Sequence, residues 1–150
     1  MRHFYIGERI ILTLWVGGLW AIGFLAAPVL FHTLDRTLAG EAAAPMFTII
    51  NGIGLVCGAL LLLGAALGRG RGWYRSWRVG VIALMMLGMA VILFVIQPQM
   101  AALKTQVVAA GGSLGPRFGR LHGISSAIYL VVSVLGLLLV AATGGRPAGR

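Results

Sequence analysis

Four stretches of this chain, about residues 10–31, 46–67, 79–97 and 121–143, contain no Asp, Glu, Lys or Arg. Each is roughly 19–23 residues long, and a helix rising about 1.5 Å per residue crosses a hydrocarbon core of about 30 Å in that length. Backbone groups in lipid must be paired within the protein, so a spanning segment is either a helix or a strand of a closed barrel. Barrel strands alternate in polarity over about ten residues, and these runs do not. The pattern predicts an all-α fold: four transmembrane helices with short loops in a single integral membrane domain, residues 1–150. The first run is too long for the apolar segment of a cleaved leader, about 7–15 residues, and reads as a retained helix.

Composition agrees with a membrane class. Hydrophobic residues make up 59% of the chain and charged residues only 10%, far below the roughly one quarter of soluble domains. The net charge of +9 would suggest nucleic acid in a soluble protein. Here the basic residues lie outside the apolar runs, which points to topology and anionic lipid and away from nucleic acid. Arg2, Arg9, Arg69, Arg71, Arg75, Arg78, Arg146 and Arg150 fall on one side, and Arg36, Lys104, Arg117 and Arg120 on the other. The positive-inside rule predicts both termini in the cytoplasm, N-in and C-in. On that side Trp73, Tyr74, Arg75, Trp77 and Arg78 read as a lipid anchor, with anionic lipid as the partner.

The second apolar run begins Pro45-Met46-Phe47 and continues to Asn51-Gly52-Ile53, and the fourth begins Pro116-Arg117-Phe118 and continues to His122-Gly123-Ile124. Proline, phenylalanine, glycine and isoleucine recur 71 residues apart. Gly18 and Pro28 match Gly88 and Pro98 at an offset of 70. The chain therefore reads as two duplicated helical hairpins related by a pseudo-two-fold axis along the membrane normal, each ending its first helix near a proline. The repeat makes Asn51 and His122 equivalent and predicts that they meet near that axis, with Gly52 and Gly123 at helix crossings. Gly54/Gly58, Gly64/Gly68 and Gly119/Gly123 have the spacing of close helix packing, with a homo-oligomer as a second use. Between the spans, Met100, Leu103 and Val107 form an i, i+3, i+7 stripe, as do Phe31, Leu34 and Leu38, and both predict short helices lying on the outer surface.

Candidate chemistry is sparse. His122 is the one ionisable side chain at the edge of the fourth span, and such groups are candidates for ligand or proton work. Gln97 and Asn51 join it as binding candidates, Gln97 also as a partner for the carbonyl that Pro98 frees. His32 and His122 lie toward one face and could together ligate copper or haem, although no carboxylate or cysteine joins them. Cys57 stands alone, so neither an internal disulfide nor a paired-cysteine metal site is available. No catalytic residue and no cofactor follow from any motif: the spans lack the Asp, Glu or Lys of proton-coupled carriers, and no nucleophile motif is present.

Gly17-Gly18-Leu19-Trp20, Ala27-Pro28-Val29-Leu30-Phe31, Phe47 with Asn51-Gly52, Gln97-Pro98, and Phe118 with Leu121-His122-Gly123 and Ser125-Ser126 resemble the domain-of-unknown-function family 4149, the proteins similar to transmembrane protein 205. The resemblance runs from about Arg9 to Ala142. It implies a four-helix membrane protein without an established active site, and a role in tolerance of metals or amphiphilic drugs. Eleven Arg to one Lys looks like a high-GC bacterial member, which would sit in the inner membrane. The combined expectation is a non-enzymatic multi-pass protein that confers tolerance or supports a membrane complex. The alternative is a haem- or copper-binding redox protein.

Overall fold

The computed structural model describes residues 2–69, 76–109 and 115–144, and among them there is no strand. Four long helices are present. The first covers residues 2–33: α-helical Arg2–Trp20, a π-helical turn over Ala21–Ala26, and α-helical Ala27–Thr33. The second is Arg36–Arg69, with Pro45 inside it. The third covers residues 77–109: α-helical Trp77–Ala90, a π-helical turn over Val91–Ile96, and α-helical Gln97–Ala109. The fourth is Pro116–Gly144. All four are long and apolar enough to cross a membrane, over Ile6–Thr33, Arg36–Gly68, Trp77–Val107 and Pro116–Ala142.

The helices do not end at their prolines. A proline inside a helix lacks an N–H and its ring collides with the carbonyl four residues back. One wide turn before Pro28 and one before Pro98 relieve that collision; Pro45 sits in the third turn of its helix, with no wide turn before it. The N–H of Ala27 bonds the Ile22 carbonyl, and the N–H of Gln97 bonds the Ile92 carbonyl, both five residues back. The two turns sit 70 residues apart in sequence, the same offset as Pro28 and Pro98. The separate surface helices expected at 100–107 and 31–38 are thus absent: 100–107 continues the third helix, and 31–38 holds the end of the first helix, the break at Leu34–Asp35 and the start of the second. Met100, Leu103 and Val107 are half-buried, so that stripe faces protein. Phe31, Leu34 and Leu38 are exposed, and the smaller Ala39 and Ala43 are buried instead.

Packing follows the duplication. The first and third helices each contact the second and the fourth, while the diagonal pairs do not approach closely. The centre is filled by matched residues at offset 70: Leu12 with Ile82, Trp15 with Met85, and Leu19 with Met89, all buried. The second and fourth helices contribute matched buried positions at offset 71: Gly58 with Tyr129, Leu61 with Val132, and Ala65 with Gly136. Lipid tails are as apolar as these side chains, so van der Waals fit rather than water exclusion holds the helices together.

Beyond the π turns the two hairpins part, save for a contact between Gln97 and Thr48 just past the second turn. Ala27–Thr33 contacts the second helix only, and Gln97–Ala109 contacts the fourth, among the described residues. The first hairpin stays tight there, because Ala39 and Ala43 let the backbones approach. The fourth helix is exposed or half-buried over its first thirteen residues, and its first buried side chain is Tyr129.

Candidate functional site

Asn51 is fully buried in the middle of the bundle. Its Nδ2 donates to the Phe47 carbonyl one turn back, at 2.8 Å, and its Oδ1 has no protein partner. Three more buried polar atoms share this condition: Trp15 Nε1, Ser133 Oγ and, at the terminal end of the bundle, Arg78 Nε. Between them lies a small set of satisfied groups. Tyr129 donates its hydroxyl to the Leu19 carbonyl at 2.7 Å, just before the π turn, and packs edge-on against Phe47 at 5.0 Å. Trp20 Nε1 donates to the Ser133 carbonyl at 3.2 Å and stacks on Phe24. Wide turns leave backbone carbonyls short of N–H donors, and in a dry interior a side-chain hydroxyl can take that place.

His122 does not meet Asn51. It is exposed, lies parallel to the Phe118 ring at 6.4 Å, and its carbonyl accepts a bond from Ser125. The repeat makes the two positions equivalent in sequence, but the tight first hairpin encloses Asn51 and the open end of the second leaves His122 outside. The glycines that follow them are not crossing points either: a Cβ at Gly52 or Gly123 would meet nothing within 4 Å. Close approach occurs at Gly54 and Gly58, whose faces receive Trp15, Met86 and Met89.

Gln97 joins the hairpins rather than capping the carbonyl freed by Pro98. Its Oε1 lies 3.1 Å from Thr48 Oγ1, and that hydroxyl also lies 3.0 Å from the Ala44 carbonyl. A hydroxyl has one proton, so with Thr48 donating to Ala44 the contact requires the Gln97 amide nitrogen toward Thr48. His32 is exposed in the last turn of the first helix. Among the described residues no three His, Cys, Asp or Glu side chains gather as a metal site.

Of the expected lipid anchor, Trp73, Tyr74 and Arg75 lie outside the described residues, and Trp77 is 57% exposed. Arg78 differs from expectation. Its guanidinium turns inward to Glu8 at 2.9 Å, with side chains 15% and 24% exposed. Glu8 and Arg78 stand 70 residues apart, so the repeat places equivalent positions face to face at the terminal end of the bundle. The repeat alignment contained this signal, since Glu8 plus 70 is Arg78. The buried Ser133 and Tyr129 were also findable, as polar groups inside an apolar run.

The interior therefore offers neutral donors and acceptors, without a carboxylate or a nucleophile–base pair among the described residues. That chemistry can orient a neutral group or a water. In comparisons with known proteins, the family model described as "Domain of unknown function (DUF4149)" matches residues 10–109. That stretch holds both π turns and most of the central packing. No curated protein and no solved structure matches the chain. With about two thirds of its length matched by that model, the chain belongs to the DUF4149 family.

Proposed function

We propose that this protein is a non-enzymatic multi-pass component of a bacterial inner membrane, similar to transmembrane protein 205, that supports a membrane complex rather than conducting a solute. The carrying observation is the solid centre. Trp15, Leu19, Met85, Met89 and Leu139 are fully buried where a carrier would keep a path. The neutral interior supports the same reading, because proton-coupled transport uses ionisable groups within the spans. The large apolar faces, with Leu14, Leu25, Leu67, Leu87 and Phe94 outward, suit lipid, a membrane-protein partner or a second copy.

Reconstituted protein is expected to pass protons, copper ions and a cationic amphiphilic dye no faster than empty liposomes. A flux that scales with protein content would replace this reading with transport. A Soret band or stoichiometric copper in the purified protein would replace it with redox chemistry at His32 or His122.

The orientation rests on the eight-to-four distribution of basic residues. In a Cys57→Ala background, Asp35→Cys is expected to react with an impermeant maleimide in intact cells, and Ser76→Cys only after permeabilisation. The opposite pattern would invert the topology.

A further inference from the structure

Two of the buried polar atoms without a protein partner belong to the first hairpin. Trp15 and Asn51 are each 0% exposed, and Trp15 Nε1 and Asn51 Oδ1 have no hydrogen bond. The indole nitrogen can only donate and the amide oxygen can only accept. The indole lies along the second helix. Its Cη2 is 3.4 Å from a Cβ built on Gly58, and its Nε1 is 2.5 Å from one built on Gly54. The pyrrole edge thus leads from Gly58 toward Gly54. Asn51 is the next residue on that face, one turn further and about 4.5 Å along the axis.

The Asn51 amide has one orientation open to it. The Phe47 carbonyl stands at 2.8 Å and needs a donor, so the NH2 faces it and the oxygen takes the opposite edge, away from Phe47. Neither orphan can turn to find another partner. Phe47 holds the amide, and Met86 and Met89 press with the indole against the Gly58 and Gly54 faces. Met89 Sδ reaches the Gly54 face too, but a thioether is a weak acceptor and no N–H···S bond forms. The side chains clustered with Trp15, among them Leu19, Ile50 and Ile92, bring no acceptor.

We propose that Trp15 and Asn51 form a binding site for a single water molecule. The water accepts from Trp15 Nε1 and donates to Asn51 Oδ1, tying the first helix to the second within the central packing. An unpaired polar group is penalised in a dry interior, and one water satisfies both ends. Two bonds are the lower end of the about 2–4 that buried waters make. Full enclosure of both residues selects water over any larger hydroxyl compound. The repeat does not reproduce the site: Met85 stands in the place of Trp15, and the exposed His122 in that of Asn51.

Nuclear magnetic resonance of the full, nitrogen-15-labelled chain in deuterated micelles tests this. The Trp15 indole N–H, identified by its contact with Gly54, is expected to show a cross-peak to water, and so is the Asn51 side-chain NH2. Asn51→Leu should abolish the indole cross-peak. The Trp20 indole resonance, which reports the folded bundle through its bond to the Ser133 carbonyl, should stay in place. Ser133→Ala removes a different buried orphan and should leave the Trp15 cross-peak intact. Absence of a water cross-peak at both groups in the parent protein would overturn the site without recourse to any variant. A cross-peak that persists undiminished in Asn51→Leu would overturn the bridge. An indole N–H that shifts in Asn51→Leu, with no water cross-peak in the parent, would replace the water by a direct bond.

Discussion

Replacing Gly54 by leucine is expected to cost about 3 kcal/mol of bundle stability, the upper part of the range for overpacking a filled core. A Cβ at Gly54 would sit 2.5 Å from Trp15 Nε1 and press on Met89 Sδ. The thioether can swing aside, but the indole is rigid and fully buried. Gly52→Leu, two residues earlier on the same helix, points into open space and should stay within about 0.5 kcal/mol. Trp15→Ala alone should cost about 3–5 kcal/mol through the cavity it leaves. Combined with Gly54→Leu, it should cost clearly less than the sum, because the new side chain enters the space the indole vacates. Reversible unfolding in mixed micelles measures all four proteins. Strict additivity would mean that the indole and the Gly54 face do not share a volume.

How much of this was legible beforehand depends on the kind of signal. The four spans were, because the absence of charge over twenty residues is a physical limit set by the bilayer. Their extensions past Pro28 and Pro98, and ahead of Pro45, were not. Pro28 and Pro98 look like helix ends, because a sequence does not display the wide turn that lets the chain pass a proline, and Pro45 looks like a helix start although its helix begins nine residues earlier. The repeat carried further than expected, since it pairs the π turns and the central Leu12/Ile82 and Trp15/Met85 positions. It misled at Asn51 and His122. Equivalent positions share an environment only while both hairpins pack alike; Ala39 and Ala43 are buried in the first hairpin, whereas among the described residues the fourth helix buries no side chain before Tyr129. Burial of Asn51 is thus a property of its neighbours. The Arg78–Glu8 pair was legible in the same repeat, because a carboxylate stands at the matching place in the first hairpin.

That ion pair supports the last expectation. Arg78→Glu would set two carboxylates together at the terminal end of the bundle, and Glu8→Arg two guanidiniums. Removing a partner from a fully buried pair costs about 3–5 kcal/mol. These side chains remain partly solvated, which reduces the penalty to about 1–3 kcal/mol for each single reversal. The double reversal, Glu8→Arg with Arg78→Glu, should recover most of the loss, since the two groups occupy equivalent places and can exchange roles. Salt should weaken the coupling only modestly at this depth. The exchange also tests the origin of the fold. In a dimer of identical hairpins both positions would hold the same residue and like charges would face each other. A fused chain lets the two positions differ, so opposite charges can set the register of one hairpin against the other. If the double reversal is as unstable as either single variant, the pair contributes through its separate surroundings and not through its meeting.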